Sequence, residues 1–249
     1  MDELRRVAIS VPEAQREEVT ARLLELHPEG FEEAEGVFAV FTDAAGEARL
    51  RAEFGEVESQ PVEPGWEERW REFHRPVWVG PLWVGPPWEP LPEEGIAVVI
   101  DPGRAFGTGS HPTTRLCLGF LVDLTASSLL DVGCGSGVLS IAAAKLGFEP
   151  VVALDVDPAA VAAARRNAHA NVVEVDVRQG DALQENLPAT ELVLANMNLA
   201  AVEALGPRIR ARQLVTAGYF HSRMPELAGY AHRERRIDGG WAADLFERQ

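Results

Sequence analysis

A chain of 249 residues is long enough for one large domain, or for a catalytic domain with a small companion. Its hydrophobic share of 46% excludes wholesale disorder, and no apolar run approaches the roughly 20 residues that span a bilayer. A net charge of −16 sets the surface against phosphate backbones, so direct contact with nucleic acid is not expected, while a basic partner would be attracted.

The stretch from Met1 to Val11 is charged and then strand-like, unlike a signal peptide. The expected address is the cytoplasm, with no membrane partner and a monomeric state. Cys117 and Cys134 have no His or Cys neighbours at metal-ligand spacing. Both are expected to be reduced and structural, and no metal site is expected.

In chain order, Arg6 to Val11 alternates like a strand, and Pro12 opens a helix carrying Val19, Leu23, Leu24 and Leu26. Phe31 to Glu35 and Val37 to Phe41 flank Gly36 as two strands, Ala44 to Phe54 is helical, and Val57 to Val62 is a strand. The order βαββαβ predicts a ferredoxin-like α+β domain over residues 1–60. Residues 61–92 are rich in proline and hold five of the six tryptophans, Trp66, Trp70, Trp78, Trp83 and Trp88. This segment is expected to be a linker packed on both sides, with short strands at Trp78 and Trp83.

From residue 93 on, strands alternate with helices. The predicted strands are Ala97 to Ile100, Leu129 to Val132, Val151 to Asp155, Val173 to Val175 and Leu192 to Ala195. The predicted helices are Thr113 to Leu124, Val138 to Leu146, Pro158 to Ala170 and Leu199 to Leu205. Two last strands fall around Leu214 to Phe220 and Trp241 to Glu247. Such alternation predicts a doubly wound, Rossmann-like α/β domain with a parallel sheet.

The strongest local signal is Leu129-Leu130-Asp131-Val132-Gly133-Cys134-Gly135-Ser136-Gly137-Val138-Leu139, a buried strand running into a three-glycine turn and a helix. Glycines let the backbone bend sharply and approach a ligand, and the helix start adds free N–H groups. The spacing Gly-x-Gly-x-Gly, with Val138 where a dinucleotide site wants Gly or Ala, favours S-adenosylmethionine over a dinucleotide. Gly133 and Gly135 are expected at the cofactor. Asp131 is expected either to accept from the cofactor's amino group or to fix the turn. Asp155, at the end of the next strand, can accept both ribose hydroxyls, while Asp157 before Pro158 is expected to cap the helix. Asp181, after Gly180, is expected to border the adenine.

Upstream, Asp101 to Thr114 packs three glycines, two prolines and four hydroxyl residues into fourteen positions, a shaped loop leading into a helix. It is expected to cover the cofactor through Phe106 and Thr108. His111 is expected to be structural rather than a base. Downstream, Asn196 ends a strand, where open α/β sheets place their ligands, and Asn198 suits cap chemistry better.

With these residues in view, the chain resembles PrmA-type methyltransferases, which trimethylate amino groups of ribosomal protein L-eleven in bacteria. The resemblance covers nearly the whole chain. It includes Gly65-Trp66-Glu67-Glu68-Arg69-Trp70 and Leu82-Trp83-Val84-Gly85-Pro86-Pro87-Trp88, and it is sharpest at Asp101 to Thr114. It implies a class I methyltransferase domain over 93–249 using S-adenosyl-L-methionine, with Thr114, Gly133, Asp155 and Asn196 on the cofactor. The N-terminal domain would hold a basic large-subunit ribosomal protein. The chain departs from the family after Asn196, where Met197-Asn198-Leu199-Ala200-Ala201 replaces an apolar run. Asn196 is the candidate to orient the acceptor amine. The competing readings are a methyltransferase for another protein or a small molecule, a cofactor-binding scaffold without transfer activity, and a nicotinamide oxidoreductase.

Overall fold

The computed structural model describes residues 5–12, 15–26, 31–34, 36–62, 75–101 and 109–249. The chain divides into two compact units, 1–73 and 74–249. The division therefore falls inside the segment 61–92 expected as a linker, and its later half belongs to the second unit. The motif Gly65 to Trp70 lies outside the described residues.

The first unit runs β1 (Arg5–Ser10), α1 (Arg16–Leu26), β2 (Glu32–Ala34), β3 (Val37–Thr42), α2 (Ala44–Phe54) and β4 (Glu58–Pro61). Its sheet has the order β2-β3-β1-β4 with every neighbouring pair antiparallel, the ferredoxin-like arrangement. Strand alternation puts Val7, Ile9, Phe38 and Val40 on one face, where they bury against Leu23 of α1 and Leu50 of α2. Asp43 starts α2 by accepting from the Gly46 amide at 2.8 Å.

The second unit begins with β5 (Val77–Val79), β6 (Leu82–Gly85) and β7 (Ile96–Val99), in which β6 pairs antiparallel with β5 and parallel with β7. Trp78 and Trp83 sit opposite each other in the β5–β6 hairpin. Then follow α3 (Pro112–Asp123), β8 (Leu129–Val132), α4 (Val138–Lys145), β9 (Val151–Asp155), α5 (Pro158–Ala170) and β10 (Asp176–Gln179). The chain closes with β11 (Leu192–Asn196), α6 (Leu199–Leu205), β12 (Gln213–Phe220), β13 (Tyr230–Asp238) and β14 (Trp241–Arg248).

These strands build a seven-stranded sheet in the order β10-β9-β8-β11-β12-β14-β13. The first five neighbours run parallel, and β14 is antiparallel to both its partners. The chain winds outward from β8 to β10 and then returns to the other side of β8 at β11. The switch point lies between β8 and β11, where such sheets open a crevice beyond the strands' carboxyl ends. Alternation along β8 sends Leu129 to the core shared with α3 and α4, and Leu130 and Val132 to the core on the opposite face. Among the described residues no helix is long and apolar enough to cross a membrane.

Two elements differ from the sequence expectation. The strand expected at Val173 to Val175 lies further on, at Asp176–Gln179. After α5 the chain turns through Val172 at φ 54°, and the Val173 amide bonds back to the Ala168 carbonyl. Val173 and Val175 are apolar because they pack under the helix on the way to the sheet, and the ladder starts after them. β13 was not expected at all. Its sequence, Tyr-Ala-His-Arg-Glu-Arg-Arg-Ile-Asp, has no two-residue hydrophobic alternation because it is an edge strand held by β14 alone.

Candidate functional site

The turn after β8 bends through Gly133, Gly135 and Gly137, at φ 71°, 53° and 82°, a region that side chains rarely tolerate. The amides of Gly133 and Cys134 both donate to the Leu154 carbonyl, at 2.8 and 3.1 Å, which pins the turn to the end of β9. A Cβ on Gly133 would meet the Met197 side chain at 3.1 Å, and one on Gly137 would meet Ala164 of α5 at 3.0 Å. The turn is therefore pressed between the chain leaving β11 and helix α5.

Asp155 completes this corner. One carboxylate oxygen accepts from the Gly135 amide at 2.9 Å and the other from the Asp157 amide at 3.0 Å. A carboxylate offers about four acceptor positions, so about half of its capacity is unused among the described residues, on a half-buried group. Asp157 caps α5 through the Ala159 amide at 2.8 Å, the division of labour that the local sequence suggests. The Gly180 amide bonds the Asp155 carbonyl at 2.9 Å and brings Asp181 to the same corner. Both Asp181 oxygens already accept, from the Leu183 amide at 2.8 Å and the Gln184 carboxamide at 2.6 Å.

Asp131 lies under the turn with 1% of its surface exposed. It accepts from the Ser140 hydroxyl of α4, and burial pushes its pKa up to about 6, the Asp155 charge adding to the effect. Of the two roles expected for Asp131, this position suits fixing the turn. Both cysteines are buried and outside any disulfide, and burial pushes both thiols up.

Asn196 ends β11 beside the turn, with its register partner Ala217 on β12 and the next amide, Met197, bonded to the Ala217 carbonyl at 2.9 Å. Asn198 caps α6 by accepting from the Ala201 amide at 2.9 Å, which separates the two asparagines by role. The first turn of α3 reaches the same end of the sheet. His111 caps it by accepting from the Thr113 amide, and its ring meets Trp241 edge-on at 4.9 Å. Trp241 stacks in turn on Phe220, at the end of β12, with ring centres 4.3 Å apart. Burial lowers the His111 pKa to about 4, Arg115 lowering it further and Asp238 opposing, so the ring is a neutral cap at pH 7.

Thr114, the third residue of that helix, is 1% exposed, and its hydroxyl has no partner among the described residues. A buried unpaired hydroxyl is costly, and a ligand group that meets it recovers the cost. Phe106 and Thr108 lie outside the described residues.

Sequence reasoning passed over two asparagines of α5 and its end. Asn167 donates to the Ser136 carbonyl of the glycine turn at 2.9 Å and accepts from the Asp101 amide at 3.1 Å. Asn171 exchanges two hydrogen bonds with the backbone of Val99, at 2.9 and 2.6 Å. Together they tie the glycine turn, α5 and the end of β7 into one frame. The available signal was a pair of asparagines four apart in an alanine-rich helix, where carboxamides are poor helix formers.

Comparison with known proteins sharpens the picture. The model of the family described as ribosomal protein L11 methyltransferase (PrmA) matches residues 6–222. A protein named ribosomal protein L11 methyltransferase from Symbiobacterium thermophilum is 44% identical over 155 residues, covering 60% of this chain and 51% of its own length. One of the same name from Vibrio campbellii is 37% identical over 212 residues, covering 80% of this chain and 71% of its own. The match to the first of these relatives thus spans about half of that protein's length. Among solved structures, a ribosomal protein L11 methylase from Lactobacillus delbrueckii subsp. bulgaricus aligns with TM-score 0.62 at 24% identity, over 71% of this chain and 100% of that one. At that identity the likeness speaks for the fold.

Proposed function

Because the chain belongs to the ribosomal protein L11 methyltransferase family, we propose that it transfers methyl groups from S-adenosylmethionine to amino groups, lysines included, of a large-subunit ribosomal protein. The observation that carries this reading is Asp155. It is a half-buried carboxylate bonded to the glycine turn, with acceptor capacity to spare, at the carboxyl end of the sheet beside its switch point. The buried hydroxyl of Thr114, without a partner among the described residues, fits the same ligand.

In this reading Asp155 accepts the ribose hydroxyls, and the start of α4 after Gly137 favours the carboxylate of the methionine moiety. Thr114 supplies one further polar contact, and Asp131 with Ser140 holds the turn from below. S-adenosylmethionine supplies a methyl carbon activated by a sulfonium leaving group. Asn196 positions the acceptor, its carboxamide oxygen accepting from the amine N–H so that the nitrogen lone pair faces the methyl carbon. Its carboxamide is not basic, so it takes no proton. A lysine amine with a reference pKa near 10.4 is deprotonated because desolvation beside a positive charge lowers that value, and the proton leaves to water. Positioning then supplies most of the rate, up to about 7–11 kcal/mol in ideal cases.

We assign capture of the ribosomal protein to the first unit, and to the acidic surface a salt-dependent attraction for that basic partner. The protein is read as cytoplasmic and monomeric. Mass spectrometry of purified ribosomal protein L11 after incubation with the full chain and S-adenosylmethionine tests the proposal. Gain of methyl groups is expected, and Asn196→Ala is expected to lower turnover more than cofactor affinity. A chain that binds the cofactor yet leaves the ribosomal protein at its starting mass overturns the substrate assignment.

A further inference from the structure

The carboxyl ends of the parallel strands meet the glycine turn, and their opposite ends hold a second feature. Where β8, β11 and β12 begin and β14 ends, Ser128, Thr190, Glu191, Arg210, Arg212 and Arg248 line an open pocket of about 420 Å³. Three arginines share that wall with Glu191 and with Gln249, the last residue of the sequence, in a chain whose acidic residues outnumber its Lys and Arg by 39 to 23. Many arginines of this protein pair with a carboxylate, as Arg51 does with Glu47, Arg178 with Asp176 and Arg233 with Glu247. Arg210, Arg212 and Arg248 form no ion pair among the described residues.

Two of the three are held without being neutralised. Arg210 donates to the carbonyls of Pro207 and Ile209 at 2.8 and 3.0 Å, and Arg248 donates to the Arg210 carbonyl at 3.0 Å. These acceptors hold the head groups of Arg210 and Arg248 and leave their positive charge and remaining N–H groups for another partner. The Arg212 guanidinium has no hydrogen-bond partner among the described residues. Ser128 accepts from the Glu191 amide at 2.9 Å, which leaves its O–H as a donor at the pocket wall. Like charges brought together at a fixed wall repel, and a multivalent anion relieves that repulsion. Guanidinium forks match the oxygens of phosphate in geometry as well as charge.

We propose that this pocket binds a compact polyphosphate anion, either inorganic or carried as the phosphate tail of a nucleotide. The net charge of −16 selects the size of the ligand. A compact anion stays within about one Debye length of the arginines, roughly 8 Å at physiological salt, whereas a long polyanion also meets the acidic surface beyond it. The site is separate from the methyl-transfer reading, and neither depends on the other.

Isothermal titration of the full chain with sodium tripolyphosphate in phosphate-free, low-salt buffer tests the proposal. Saturable binding of one equivalent is expected, falling steeply as salt is raised. Arg212→Ala is expected to weaken it by about tenfold or more, and the Arg212→Ala/Arg248→Ala pair further. The Arg212 side chain is exposed and bonds to nothing among the described residues, so its loss leaves folding intact, and unchanged thermal unfolding checks this. Binding of S-adenosylhomocysteine is expected to be unaffected by either variant. Titration with ATP separates the two sources: tighter binding than tripolyphosphate identifies a nucleotide, and equal or weaker binding an inorganic ligand. Absence of saturable binding, binding unaltered by Arg212→Ala, or tighter arginine-dependent binding of a single-stranded RNA oligonucleotide overturns the proposal.

Discussion

Polar groups near the glycine turn and those inside the β12–β14 region are held in opposite ways. Among the described residues around the turn, Asp155 accepts from two backbone amides, Asp131 from Ser140, and Thr114 has no side-chain partner. In β14, Asp244 is fully buried and saturated. Both of its oxygens accept from the Arg235 guanidinium at 2.8 Å, with Tyr219 and His232 adding one bond each at 2.8 Å. Arg235 also donates to the carbonyls of His221 and Arg223, so the network fastens the turn that follows Phe220. One region has completed its hydrogen bonds within the protein, and the other keeps capacity in reserve. Reserve capacity lowers the stability of the unliganded fold and is recovered by a ligand; saturation gives stability and rigidity with nothing left to offer.

The contrast is broken most forcefully in the saturated region. Asp244→Ala leaves the half-buried Arg235 charge without its carboxylate and the Tyr219 hydroxyl without its acceptor, and removing one side of a fully buried pair costs about 3–5 kcal/mol, an upper bound here. A fall in the melting temperature of the second unit on the order of 10 °C is expected by calorimetry. A shift as small as that of a surface substitution would mean that water replaces the network.

A somewhat smaller effect, of opposite character, is expected at Asp131. Burial raises its folded pKa from 3.8 to about 6, so the native state holds a proton that the unfolded chain has already released. Between these values the unfolded state binds fewer protons, and stability falls as pH rises from about 4 to 6, by about 3 kcal/mol for this group. Asp131→Asn does not titrate. Its stability relative to the parent chain is therefore expected to rise across that window, measured by denaturant unfolding at each pH. Parallel profiles would show that Asp131 is solvated as an ordinary carboxylate.

Asp155→Ala separates reserve capacity from structure. Loss of charge-assisted bonds to the ribose is expected to cost about 1.5–3 kcal/mol of binding, read as the affinity for S-adenosylhomocysteine by titration calorimetry. The fold loses two bonds to backbone amides, so its melting temperature should drop less than that of Asp244→Ala. Normal binding with a large loss of stability would move Asp155 into the structural class.

Thr114→Val gives the smallest change and the most specific one. It removes a buried hydroxyl that nothing among the described residues satisfies, so the unliganded chain should gain about 1 kcal/mol, while cofactor affinity falls. Loss in both measurements would mean that the hydroxyl serves the fold, and the two regions would then differ less than the hydrogen bonds suggest.

What the amino-acid order determined by itself is local. The glycine turn, the parallel strands from β8 to β11 other than β10, the helices α4 to α6, and the split between Asp155 and its neighbour Asp157 all rest on periodicity, backbone freedom and capping. These act over a handful of residues, so they can be read without knowing what packs where. The displaced start of β10, the unexpected β13, the saturation of Asp244 and the frame built by Asn167 and Asn171 were decided by tertiary structure alone. Asn171 meets Val99 across 72 positions, and Tyr219 meets Asp244 across 25. Arg248 meets Arg210 across 38, in a pocket assembled from the ends of four strands. Hydrophobicity in Val173 and Val175 reports burial without saying against what, and charge in β13 reports exposure without saying on which edge. Only when the sheet fixes strand order do distant polar groups acquire partners, and only then can a satisfied group be told from one that waits for a ligand.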